Sequence, residues 1–254
     1  MSQPTEEYET GTPDVVPDDR PPAPGEVLLD AEQIGVAASW GHIYGPVDLT
    51  VRAGGVTVLV GSGGRGRTSL LLTLAGRMKP TTGTLTAFGH VDDAHRLFVR
   101  AAMADIDEVD GIGQTIRVRD VVTEQLRWSA PWYRWVNPAT SDDLERIARP
   151  VFGDLGLPAM EAMVEELPEL TSALLRIALA NVARPPLLVV GGVDNLASIE
   201  SSRKLLDRLI VLGREQTVIT ADVNGVEPRE GIREQIAVPN LSDFADLEKE
   251  ALQS

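Results

Sequence analysis

The feature that most constrains this chain is a glycine-rich stretch set between a strand pattern and a helix pattern. Residues 56–60 form a compact, largely β-branched run, and residues 69–77 place Leu70, Leu71, Leu72, Leu74 and Ala75 at helical spacing. Between them, Gly61, Ser62, Gly63, Gly64, Arg65, Gly66, Arg67 and Thr68 follow the pattern G-x-x-x-x-G-K-[ST], except that Arg67 stands where lysine is expected. Glycines let a backbone turn its amides inward around a phosphate, and a helix starting there presents unsatisfied N–H groups and the positive end of its dipole. Thr68 then supplies a hydroxyl to a phosphate-bound Mg²⁺. Arg67 keeps the positive charge on a planar and more rigid fork, so the charge need not fall at the same point between the terminal phosphates. Taken alone, the loop fits a plain strand-to-helix turn equally well.

The surrounding pattern is α/β. Short apolar runs at residues 27–29, 34–37 and 47–51 read as brief strands of a small antiparallel sheet. From about residue 118 to 182 the pattern is helical, with interruptions at Pro131, Pro138, Pro150, Pro158 and Pro168 that predict several short helices. Apolar runs at residues 187–190 and 218–220, separated by a helical segment over 199–212, have the form of parallel strands joined by a crossover helix. The expected organisation is an acidic, proline-rich disordered tail over 1–26, one domain over 27–242, and an acidic tail or short helix over 243–254. The first thirty residues hold eight carboxylates against the single Arg20, which is the composition behind the N-terminal assignment.

Composition excludes several functions. A formal net charge of −15, with no basic stripe to offset it, repels phosphodiester backbones and argues against nucleic acid as a partner. The chain has no cysteine, and His42, His90 and His95 show no metal-ligand spacing. No run of about 18 apolar residues is present, and the start of the chain is acidic where a secretory signal carries positive charge. A cytoplasmic location is expected.

The residues after the loop carry a specific resemblance. Leu74, Gly76, Pro80, Gly83, Leu85 and Gly89 reproduce the cadence L-x-G-x-x-x-P-x-x-G-x-L-x-x-x-G. This resembles the stretch after the Walker A loop of ABC-transporter ATPases, and the likeness extends at lower quality over residues 27–238. It implies an α/β fold of P-loop NTPase type, with an N-terminal antiparallel β subdomain and an inserted helical subdomain. It implies ATP and Mg²⁺ at residues 61–69, with Ser69 closing the loop and Thr68 on the metal. It places an aromatic under the adenine, Trp40 or alternatively Tyr44, although either ring taken singly fits a core or interface position as well.

The other motifs of that family depart from its pattern. Glu169, Leu170, Thr171, Ser172 and Ala173 stand where L-S-G-G-Q belongs, so both glycines of the signature are missing. Gly191 and Gly192 replace the magnesium-associated Asp and the catalytic Glu after the Walker B strand, and Ala221 replaces the switch histidine. A general base of this kind contributes about 10²- to 10⁴-fold, so impaired or absent hydrolysis is expected. Asp194 lies close enough to be weighed as a substitute carboxylate, and Asp194-Asn195 is also turn chemistry after a strand. The Q-loop glutamine aligns near Asp105 or Ile106, with Gln114 farther along; Asp105 and Asp107 are further oxygen donors in that segment.

The aromatic segment Arg127, Trp128, Ser129, Ala130, Pro131, Trp132, Tyr133, Arg134 and Trp135 lies in the helical lobe, where the family receives the coupling helices of a membrane subunit. Aromatic and arginine side chains are enriched at interface hot spots, and these rings are equally able to fill a lobe core. The resemblance therefore implies an integral membrane permease-type partner, a homodimer or a heterodimer with an intact ABC ATPase, and a peripheral position at the inner face of the cell membrane. Two other readings remain: a pseudo-ATPase interaction module that binds no nucleotide, and a P-loop kinase, which the spacing from Pro80 to Gly89 fits less well.

Overall fold

A computed structural model describes residues 20–39, 41–106, 116–131, 133 and 135–239. The elements run β1 (Val27–Ala38), β2 (Gly41–Arg52), β3 (Gly55–Val60), α1 (Arg65–Leu74), β4 (Thr82–Ala87), β5 (His90–Val91), α2 (Ala94–Arg100) and β6 (Ala101–Ala104). They continue with α3 (Val118–Ser129), α4 (Ser141–Phe152), α5 (Glu169–Ala180), β7 (Leu187–Gly192), α6 (Ile199–Leu212), β8 (Thr217–Asp222) and β9 (Ile232–Ala237). Of the tail expected over 1–26, residues 1–19 lie outside the described residues, as does 243–254; within 20–26 the Gly25 N–H donates to the Ala53 carbonyl at 2.8 Å.

Two sheets result. The first is antiparallel, in the order β2-β1-β4-β5; the second is parallel, in the order β6-β7-β8-β3-β9. The strand β7 is buried along its whole length, with Leu188 and Val190 facing one core and Leu187 and Val189 the other. That two-sided burial explains why it reads as a continuous apolar run instead of an alternating one. One core lies between the parallel sheet and α3 to α6; the other lies between the two sheets and around α1.

The structure modifies some local expectations. The apolar runs at 27–29 and 34–37 belong to one long strand, β1, interrupted by an irregularity in its pairing. Gln33 takes a positive φ of 51° there, and its backbone N–H donates to Asp48 Oδ1 at 2.7 Å, so a polar pair carries the strand through the break. Helix α4 passes through Pro150 and stops at Gly153. Pro150 lies in the last turn, so it removes little of the ladder, and a Thr140–Asp143 capping box fixes the other end of the helix. Strand β9 has no apolar run to announce it; it is an edge strand of alternating exposure, paired in parallel with β3.

Candidate functional site

In an open parallel sheet, ligands gather at the carboxyl ends of the strands. Here β3 ends in the glycine loop, β8 ends at Asp222, and β7 ends in a short 3-10 turn over Val193–Asn195. The strands β3 and β7 flank β8, so the loop and the turn stand on either side of its end. Ala221 pairs in register with Leu59 on one side and Gly192 on the other.

The glycine loop leads directly into the N-terminus of α1. Gly64 caps α1 with φ 110°, a conformation that L side chains rarely adopt, and it offers no side-chain cap to the first turn. No acidic residue occupies that turn, so its N–H groups and the helix dipole face the loop without an internal anion. Ser62, Gly63, Gly64 and Arg65 are exposed, Gly61 and Thr68 half-buried, and Gly66 and Ser69 buried against the sheet.

Arg67 lies between the loop and the end of β7, with its guanidinium beside Gly63. It is only 8% exposed, and its guanidinium crosses to the turn after β7. There Nη1 donates to Asp194 Oδ2 at 2.8 Å and Nη2 donates to Asn195 Oδ1 at 3.0 Å. A lysine ammonium has no such fork, so this two-armed contact is specific to the arginine. The side chain of Asp194 is 22% exposed, and its Oδ1 is buried with no hydrogen-bond partner among the described residues.

The two glycines at the end of β7 are occupied from outside. A Cβ at Gly191 would collide with the backbone carbonyl of Asp105, which follows β6 at φ 53°. A Cβ at Gly192 would collide with Asp194 Oδ1 and stand 2.9 Å from Arg67 Nη2. The volume that a side chain at 192 would fill thus belongs to the Arg67–Asp194 pair. Thr220 seals the same corner by donating from Oγ1 to the Gly191 carbonyl at 2.7 Å.

These contacts bear on a bound metal. A hard divalent cation needs oxygen ligands from the protein, and among the described residues no group of three or more His, Asp or Glu is placed to hold one. Thr68 offers its hydroxyl, but the Oδ2 of Asp194 is already committed to a guanidinium. The protein side of a magnesium site does not fit beyond Thr68.

Other residues singled out in the sequence take varied places. Tyr44 is fully buried and donates its hydroxyl to Thr73 of α1 at 2.8 Å, which leaves its ring no open face for a base. Burial pushes its pKa from 10.0 up to about 12, opposed by the Thr73 hydrogen bond. Trp40, Asp107 and Gln114 lie outside the described residues, and Ile106 is buried. Glu169 opens α5 after Pro168, and its carboxylate accepts the N–H of Ala197 at 2.9 Å, tying that helix end to the segment after β7. Trp128, Tyr133 and Trp135 are 80%, 75% and 87% exposed and so fill no core; Trp132 and Arg134 lie outside the described residues.

The sequence pattern held no sign that Asp194 and Asn195 would be the partners of Arg67. The signal in the sequence was an off-pattern arginine in the glycine loop and a carboxylate soon after the run at 187–190.

The family model for ABC transporters matches residues 44–189, more than half of the chain. The chain belongs to the ABC transporter ATP-binding family. A hemin import ATP-binding protein from Rhodococcus jostii is 33% identical over 140 residues, covering 53% of this chain and 44% of that protein. A cytochrome c biogenesis ATP-binding export protein from Paraburkholderia xenovorans is 29% identical, over 40% of this chain and 43% of that protein. The chain thus spans less than half the length of these relatives. Among solved structures, an ABC-transporter ATP-binding cassette in its ADP conformation superposes with TM-score 0.63 at 13% identity, over 85% of this chain and 90% of that one. An ATP-binding protein from Pyrococcus furiosus gives 0.61 at 16% identity, over 83% and 96%. These likenesses show that the ABC cassette fold is kept. No helix among the described residues is long and apolar enough to cross a membrane.

Proposed function

We propose that this chain is a nucleotide-binding subunit of an ABC-type transport complex that takes ATP on its glycine loop and hydrolyses it slowly or not at all. The observation that carries this is the contrast at the ends of β3 and β7. The helix start after the glycine loop carries no side-chain cap and no acidic residue, while the two positions that would hold carboxylates after β7 are glycines whose side-chain space other groups fill. Nothing at Gly191, Gly192 or Ala221 is able to orient water or sense a terminal phosphate. By the family resemblance, Glu169 to Ala173 at the start of α5 stand where the glycine signature belongs, so this face is poorly suited to complete a partner's composite site.

The proposed partners are a permease-type membrane subunit and a second ATP-binding chain, either a copy of this one or an intact ATPase, at the inner face of the membrane. The docking surface is the exposed aromatic rim of Trp128, Tyr133 and Trp135. It lies beside a groove of about 600 Å³ lined by Ile116, Asp120, Glu124, Arg127, Trp128 and Ala130.

Calorimetric titration of the purified chain with ATP tests the first part. Saturable binding is expected, weakened by at least about tenfold in Gly66→Asp, which sets a carboxylate among the loop amides. Unchanged affinity in that variant would place the nucleotide elsewhere. Trp128→Ser with Trp135→Ser tests the second part: the pair should leave the thermal midpoint unchanged and abolish co-purification with a membrane subunit.

One observation favours a second reading, a module that binds no nucleotide. The loop's own cation already has a carboxylate partner, so part of its charge is met without a ligand. A rise of the melting temperature on addition of ATP would rule that reading out, because a ligand that prefers the native state must stabilise it.

A further inference from the structure

The relation of Arg67 to the end of β7 bears on which form of the nucleotide the site accepts. A triphosphate carries several negative charges, and a site must meet them with protein cations, with amide dipoles, or with a metal anchored by protein oxygens. The third route is narrowed at three positions. Gly191 and Gly192 carry no side-chain oxygen, and the space beside each is taken by the Asp105 carbonyl and by the Arg67–Asp194 pair. The carboxylate of Asp194 faces a guanidinium through Oδ2. Asp222, at the end of the intervening strand, accepts the N–H of Asn224 at 2.8 Å and so caps its own turn.

In place of an anchored metal, this end of the sheet holds a guanidinium that stays charged at any working pH. It is held by two partners, Asp194 and Asn195, and lies against Gly63 of the loop, whose hypothetical Cβ would stand 3.5 Å from Nη2. A divalent cation brought to the same corner meets a guanidinium whose charge Asp194 offsets only in part, and Thr68 is the loop hydroxyl placed to ligate it. Its attraction to the phosphates is available in solution as well, so the protein adds little to it.

We infer that the loop binds the nucleotide as a metal-free polyphosphate. Arg67 and the loop amides supply the counter-charge, and Asp194 with Asn195 acts as the positioning pair that holds the guanidinium beside Gly63. This rests on the reading that the loop binds ATP, and it reverses the metal requirement implied by the family resemblance.

The test is titration of the full chain with ATP in two buffers, one with excess Mg²⁺ and one with EDTA. The dissociation constants should agree within about threefold, or favour EDTA. Weakening by about tenfold or more in EDTA would overturn the inference while leaving ATP binding intact. Absence of binding in both buffers would remove the underlying reading and the inference with it. The counter-charge is tested in the double variant Arg67→Met, Asp194→Asn, which leaves no lone buried charge. Its affinity for ATP in EDTA should fall by about tenfold or more, whereas unchanged affinity would show that Arg67 is not the counter-charge. Circular dichroism of the same sample confirms that the fold is retained.

Discussion

The ends of β3 and β7 differ in what their chemistry is made of. At β3 the functional groups are backbone amides, which any sequence supplies if glycines allow the turn; at β7 they are side chains, which one substitution each removes. The first end keeps its geometry despite an arginine for lysine. The second carries glycines at 191 and 192, and the space beside Gly192 is taken from the first, because Arg67 reaches across the end of β8 to Asp194 and Asn195. Backbone-built sites tolerate sequence change better than side-chain-built ones, so binding should outlast catalysis.

The largest expected effect breaks the comparison at β7. Gly191→Ala places a methyl against the Asp105 carbonyl and should destabilise the fold by about 3 kcal/mol or more in a denaturant titration. For the same reason, Gly191→Asp with Gly192→Glu should fail to restore turnover, and measured ATP hydrolysis in that pair would show that the corner is not closed. Next, Asp194→Ala strands a guanidinium that is largely buried. It should lower stability by about 2 kcal/mol, below the value for a fully buried pair because Asp194 is 22% exposed.

How much of this was legible in the sequence differs between the two ends. The cradle and its strand-helix context were readable because glycine spacing and the leucine run of α1 are local patterns. The expected absence of catalytic groups rested on the family resemblance, which placed Glu169 to Ala173 before the helix containing Arg176, Gly191 and Gly192 after the run Leu187 to Val190, and Ala221 in the last core strand. The Arg67–Asp194 contact spans 127 residues and depends on strand order, which no local pattern encodes. For the same reason Tyr44 and Trp128 were ambiguous: one ring is buried against α1 and the other is exposed, yet both sit in ordinary aromatic contexts. Strand β9 was missed because an edge strand needs only backbone pairing, not an apolar run.

The smallest expected effect sharpens the account of how α1 is anchored. Tyr44→Phe removes the hydrogen bond to Thr73 and should destabilise by about 1 kcal/mol. The raised pKa of Tyr44 means that the folded state holds its proton more tightly than the unfolded chain. The associated stability is therefore complete below pH 10 and is lost as pH rises toward about 12. Tyr44→Phe should flatten the alkaline fall in that window, as followed by denaturant midpoints.

The most direct test of the central claim is a paired measurement on one preparation: ATP affinity by titration and phosphate release at saturating ATP. The account predicts saturable binding with turnover at or below about 0.1 s⁻¹, a hundredfold or more under a typical enzyme rate. Saturable binding with turnover of about 1 s⁻¹ or faster would contradict it, because the end of β7 would then be doing chemistry that its residues give no means to perform.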